Sequence, residues 1–199
     1  MKFAALIVSS LFALAAAIPA AAAHEVEYAT TLSGISEIPT NPSPGTGNAL
    51  ITIDFDTLMM DVNVTFGGLT SNTTAAHIHC CTVTPGSANV GVATVLPSFT
   101  DFPLGVTSGT YDHTFDMADA SSYNPAFVTA QGSVSNAFNA LVAGMASGNA
   151  YLNIHTEMSP GGEIRGLLHA VPEPETYALL AVGLAALGWR RARRRRIEV

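Results

Sequence analysis

Basic residues are almost missing from the body of this chain. Arg165 is the only Lys or Arg between Lys2 and Arg190, and fourteen Asp and Glu share that span. Nucleic-acid recognition needs a basic patch or stripe, so no nucleic-acid partner is expected. Charge of either sign is scarce: 12% of the 199 residues are charged, against roughly 25% in an ordinary soluble domain. With 48% hydrophobic residues, this excludes a charge-rich disordered chain and a coiled coil. Catalytic signatures are missing too. There is no Gly-x-Ser-x-Gly, no His-Glu-x-x-His and no phosphate-cradling glycine loop. Asp54, Asp56 and Asp61 lie close together, but no Asp-x-Asp-x-Asp-Gly calcium loop contains them, and a solvated surface is the expectation. No constellation asks for an enzyme.

The formal net charge of −7 hides three unlike segments. Residues 1–23 carry a lone Lys2, an apolar run from Phe3 to Ile18, a helix-breaking Pro19 and the small residues Ala21, Ala22 and Ala23. This is the pattern of a secretory signal peptide cut by signal peptidase after Ala23, the alternative being an N-terminal membrane anchor. Residues 24–170 hold twelve of those acids and Arg165. Residues 171–199 read Val171-Pro172-Glu173-Pro174, then an apolar stretch Tyr177–Trp189, then Arg190, Arg191 and four further arginines. Thirteen apolar residues make roughly 20 Å of helix, short of a hydrocarbon core about 30 Å thick. Snorkelling arginines would make up part of the mismatch, and the positive-inside rule would hold them cytoplasmic.

This tail closely resembles the PEP-CTERM sorting signal of Gram-negative bacteria, through Val171-Pro172-Glu173-Pro174, Leu179-Leu180, Gly183-Leu184, Leu187 and the arginine run. The resemblance implies a short transmembrane sorting helix and processing at Pro172, Glu173 and Pro174 by an exosortase-type enzyme. It further implies an inner-membrane stage followed by placement on the cell surface or in an extracellular matrix, in bacteria that make exopolysaccharide and biofilm or floc. The alternative is an ordinary tail anchor.

The middle segment has the size of one domain, and its main signal is period-two alternation. Ala49, Ile51, Ile53 and Phe55 alternate with Leu50, Thr52, Asp54 and Asp56, and Leu58, Met60, Val62, Val64 and Phe66 alternate with Met59, Asp61, Asn63 and Thr65. The two runs meet at Asp56-Thr57 and predict a hairpin. Val26–Leu32 predicts an earlier strand; Ala76–Cys80, Val90–Val95 and Gly109–Phe115 predict shorter ones. A helix is expected where Phe138, Leu141, Val142 and Met145 recur at helical spacing, capped by Ser135 and ended by Gly148-Asn149, with a shorter helix starting at Asn124-Pro125. The last two strands, Asn149–Thr156 and Glu163–His169, are expected to pair Ile154 with Ile164. That register puts Leu152, Ile154, Ile164 and Leu168 on one face and Asn153, His155, Glu163 and Arg165 on the other. The fold class is mainly β: an antiparallel β-sandwich or barrel with one or two short helices.

His77 and His79 form a His-x-His on a predicted strand, and alternation sends both imidazoles to one face. Such a pair is half of a metal site, and His155 is the candidate third ligand; three imidazoles suit Zn²⁺ or Cu²⁺. The competing reading makes them polar residues hydrogen-bonded to turns. Cys80 and Cys81 are the only cysteines, and an exported chain meets an oxidising compartment. Three readings stand: a vicinal disulfide, a bond to a second chain, or soft ligands beside the histidines. Arg165 is expected to pair with Glu163 or another acid.

The middle resembles the CHRD family, the module named from chordin and found in bacterial exported proteins. The resemblance rests on Ala76-His77-Ile78-His79, on Gly148–Thr156, on Pro160–Gly166 and on the opening strand from Tyr28 with Glu37-Ile38-Pro39. It spans roughly Glu25 to Leu168 and implies a β-sandwich without an established enzymatic activity. Cys80-Cys81 stand where many members have small or glycine-rich residues. The resulting expectation is an exported, non-catalytic module that binds exopolysaccharide, other surface proteins or itself. The alternative is an exported copper or zinc metalloprotein.

Overall fold

The computed structural model describes residues 24–172 and 174–197. The expected signal peptide, its cut after Ala23, and Glu173 lie outside the described residues. The body is one antiparallel sheet curled into a half-barrel, with short helices closing it. In chain order the strands are β1 (Glu25–Ser33), β2 (Thr46–Asp54), β3 (Met59–Gly67), β4 (Thr73–His79), β5 (Gly109–Asp116), β6 (Tyr151–Thr156), β7 (Ile164–Leu167) and β8 (His169–Ala170). Across the sheet the order is β4-β6-β7-β1-β2-β3-β5, with β8 pairing β1.

Alternation decides which faces turn inward. Ile51 and Ile53 on β2 sit opposite Val62 and Met60 on β3, and Tyr28 on β1 sits opposite Ile51. All five side chains are buried. The β2–β3 hairpin closes through residues 55–58, with Asp54 accepting from the Asp56 and Thr57 backbone amides. Ile154 pairs with Ile164, in the expected register. Strand β6 is buried along its whole length, so both of its faces are covered.

Two helices lie against the sheet's apolar side. α1 (Pro125–Gln131) starts at Asn124, whose side chain accepts from Ala126 N with Pro125 leading the first turn. α2 (Val134–Ala146) buries Ala137, Phe138, Leu141, Gly144 and Met145. Its cap is Ser133 rather than the expected Ser135. Gly132 ends α1 in the left-handed region, and the next residue, Ser133, is extended with its hydroxyl accepting from Asn136 N. Ser135 falls inside the first turn, where its side chain has no cap to make.

The expected strand Val90–Val95 is not a ladder strand. It makes only isolated bridges, His79 with Val92 and Thr94 with Tyr123. Its groups are spent on covering the open edge of β4: Ala93 N donates to Ile78 O, Cys80 N to Gly91 O, and Ile78 N to the Thr94 hydroxyl. Covering an edge this way prevents pairing with another chain.

Cys80 and Cys81 are bonded to each other, directly after β4. Their sulfurs turn toward α2, 3.8 and 3.5 Å from Ala140 O. A Cβ on Gly144 would fall on both sulfurs. Alanine at position 144 would favour the helix by about 1 kcal/mol, but overpacking a filled core costs roughly 1–3 kcal/mol. We therefore expect Gly144→Ala to lower stability by up to about 2 kcal/mol in urea denaturation; a raised midpoint would contradict this packing.

Candidate functional site

Strand pairing assembles the site. β4 and β6 are neighbours with Ala75 opposite His155, His77 opposite Asn153 and His79 opposite Tyr151. Partners in an antiparallel ladder share a face. His77, His79 and His155 therefore stand together on the side of the sheet away from Ile78, Leu152 and Ile154. All three are buried, with 6–9% of their surface exposed. Ring centroids lie 5.7 Å apart for His77–His79, 5.1 Å for His77–His155 and 5.7 Å for His79–His155. One ring nitrogen of each lies within 4.8 Å of the other two.

Each imidazole is held by a loop carbonyl. His77 Nε2 donates to Pro97 O at 2.6 Å, His79 Nδ1 to Val90 O at 2.8 Å and His155 Nδ1 to Pro160 O at 3.0 Å. A carbonyl only accepts, so these contacts fix the proton on the named nitrogen. The remaining nitrogens are His77 Nδ1, His79 Nε2 and His155 Nε2. They are buried without any hydrogen-bond partner, an arrangement that ordinarily costs about 1–3 kcal/mol per group. Burial holds the pKa of His77 and of His79 down to about 4, against the hydrogen bonds that favour the cation. Burial lowers His155 as well. At neutral pH all three rings are neutral.

Beside them lies the body's single guanidinium. Arg165 sits opposite Asn153 on β7, almost fully buried. Its Nε donates to Ser36 O at 2.6 Å and its Nη1 to Asn89 Oδ1 at 2.8 Å. Its acidic partner is Glu37, with Nε 3.7 Å from Oε2. Burial pushes Glu37 up to about 7 against the pull of Arg165. The guanidinium also lies 4.6 Å from the centre of the Tyr151 ring, which stacks on His79 at 4.8 Å.

Of the acids offered to Arg165, Glu163 is elsewhere. Its carboxylate accepts from Ser43, from Thr70 N and from Thr156. Burial raises its pKa, and these hydrogen bonds together outweigh burial and bring it below the ordinary value. Glu163 therefore does not join Asn153, His155 and Arg165 on their face, as the alternation had suggested. It precedes β7, where strand alternation no longer applies. Cys80 and Cys81 are not part of the histidine group; their sulfurs face α2. Sequence reasoning did not find Tyr151, Asn89 or the carbonyls of Val90, Pro97 and Pro160. Backbone acceptors leave no mark in residue type.

At the other end, Pro172 lies in irregular chain, and Pro174 opens a helix, α3 (Pro174–Ile197), that includes Arg190 and Arg191. Leu179, Leu180, Val182, Leu184 and Leu187 on it are exposed. Among the described residues no helix is long and apolar enough to cross a membrane.

Two family models match the chain. That of the CHRD domain covers residues 28–168, and that of the PEP-CTERM protein-sorting motif covers residues 170–196. No curated protein and no solved structure matches.

Two outcomes follow from these electrostatics. An unfolded imidazole titrates near 6.5, while folded His77 and His79 stay neutral down to about 4. Their contribution is complete above about pH 6.5 and is lost as pH falls toward 4, because the unfolded chain then binds protons that the fold refuses. Glu37 works the other way, since the fold takes its proton near 7 rather than 4.5. Three depressed imidazoles against one raised carboxyl leave a net loss on acidification, each pKa unit being worth about 1.4 kcal/mol. Urea midpoints with EDTA present should be lower at pH 5 than at pH 7; an equal or higher midpoint at pH 5 would refute the assignment. Separately, Arg165→Met should cost about 3–5 kcal/mol by stranding Glu37. The double variant Glu37→Gln with Arg165→Met should recover a measurable part of it. A single-variant cost under about 1 kcal/mol would mean that the pair is not buried as described.

Proposed function

Because the chain belongs to the CHRD domain family and carries a PEP-CTERM sorting motif, we propose that it is a cell-surface or matrix protein whose CHRD body is a non-catalytic binding module. The motif indicates an exported protein, processed at the membrane by an exosortase-type enzyme. Delivery beyond the inner membrane puts the acidic body where surface polymers and other exported proteins are.

The observation that carries the binding reading is the sign of the exposed charge. Ten of the twelve acids of residues 24–170 stand at exposed or half-exposed positions, while Glu37, Glu163 and Arg165 are buried. The body therefore offers solvent carboxylates and no Lys or Arg. Like charges repel within a Debye length, about 8 Å at physiological ionic strength. An anionic exopolysaccharide can be held by such a surface only through bridging divalent cations. Asp54 and Asp56 lie at the β2–β3 hairpin, Asp112 and Asp116 on β5 and Asp119 just after it, all on the exposed or half-exposed surface where a bridging ion would be met.

The test is retention of the full chain on an immobilised anionic exopolysaccharide. It should be retained with millimolar Ca²⁺ and released in chelator. Equal retention in both buffers would overturn bridging, and recovery of the unprocessed chain from the cytoplasm would overturn surface delivery.

A further inference from the structure

The three buried histidines present more hydrogen-bond acceptors than any water could satisfy. Each ring has one proton, and a loop carbonyl takes it: Pro97 O for His77, Val90 O for His79 and Pro160 O for His155. Three lone pairs remain, on His77 Nδ1, His79 Nε2 and His155 Nε2, none with a partner. The rings cannot hydrogen-bond one another through these atoms, since all three are acceptors. A single water has two protons to donate, so one nitrogen would stay unpaired. Buried polar atoms are paired in nearly every native protein, and each exception calls for an explanation.

A Lewis acid resolves the mismatch. Metal-bound histidine characteristically donates its second ring N–H to a carbonyl or carboxylate, which fixes the tautomer and aims the free lone pair. All three rings here have that second contact. One nitrogen of each lies within 4.8 Å of the others. Three ligands at metal–nitrogen distances of about 2.0–2.1 Å would stand roughly 3.4 Å apart. Closing the set onto one ion requires the rings to turn about their carbonyl contacts. Among the described residues no Cys, Asp or Glu joins the group, so the set is three neutral imidazoles. That set suits the late first-row ions, zinc and copper, and does not suit Mg²⁺ or Ca²⁺, which take oxygen ligands.

We infer that His77 Nδ1, His79 Nε2 and His155 Nε2 form a transition-metal site for one Zn²⁺ or copper ion, with the remaining coordination position left to an exogenous ligand. The site lies on buried histidines, apart from the exposed carboxylates that would bridge to a polymer. Its loss and the loss of polymer retention are therefore separate results.

The experiment uses the full chain, stripped with chelator, desalted and titrated with Zn²⁺ and with Cu²⁺. One ion per chain should be retained through desalting, with a raised Tm. His77→Gln and His155→Gln should each weaken binding by about 100-fold or more, since disturbing even an outer-shell partner costs 10–100-fold. His113→Gln and His169→Gln, outside the cluster, should leave it unchanged. If the ligand variants do not fold, long-range ¹H–¹⁵N imidazole spectra of the unaltered Zn²⁺-loaded protein decide. They should show His77 bound through Nδ1 with Nε2 protonated, and His79 and His155 bound through Nε2 with Nδ1 protonated. No retained metal, binding unmoved by the ligand variants, or any other pattern of metallated nitrogens would overturn the site.

Discussion

Burial of strand β6 on both faces is the constraint on which the rest of the structure turns. A strand in an open half-barrel ordinarily shows one face to the core and one to water. In Tyr151–Thr156 every residue is buried. Leu152 and Ile154 point into the apolar core. Tyr151, Asn153 and His155 point the other way, into a second, polar layer made of loops. That layer has to satisfy the polar atoms it covers. The segments around Ser36–Glu37, Asn89–Pro97 and Pro160 do so for Arg165 and for one nitrogen of each histidine, with backbone carbonyls and two side chains. They leave the second ring nitrogens, Glu37 Oε1 and Asn153 Oδ1 without a partner.

Arg165 shows how strict that accounting is. In an acidic body with a single cation, a guanidinium might be expected at the surface among carboxylates. It is instead the connector of the buried layer, shared between Ser36, Asn89, Glu37 and the face of Tyr151. Two consequences follow from one placement. The polar layer is held together by charge-assisted contacts, and the exterior is left with carboxylates alone. The histidines next to it receive the opposite treatment, with one ring nitrogen satisfied and the other deliberately bare.

The disulfide belongs to the apolar side. Directly after His79, the chain turns its two sulfurs onto α2 at Gly144 and Ala140. The end of β4 is thus fixed from below by sulfur packed on a helix and from above by the Val90 carbonyl on His79. These two contacts position the His79 imidazole from both sides of its strand.

Much of this was legible in residue pattern. Period-two alternation marked the β2–β3 hairpin, the pairing of Ile154 with Ile164, and the common face of His77 and His79. Asn124-Pro125 marked the start of α1, and the Pro-Glu-Pro, apolar and arginine elements marked the sorting motif. These are local signals, set by the side-chain period of a strand, by capping chemistry or by a short linear motif. Long-range outcomes were beyond them. Val90–Val95 has strand composition but covers an edge, and Ser133 rather than Ser135 became the cap because Gly132 ended the preceding helix. By itself the sequence determined a β-rich acidic body and the pairing of its neighbouring strands. Only the tertiary structure decided that β4 lies beside β6, that Glu37 rather than Glu163 meets Arg165, and that three buried histidines stand together, each with one ring nitrogen unpartnered. Those depend on strand order and on loop carbonyls, and every residue carries the same carbonyl.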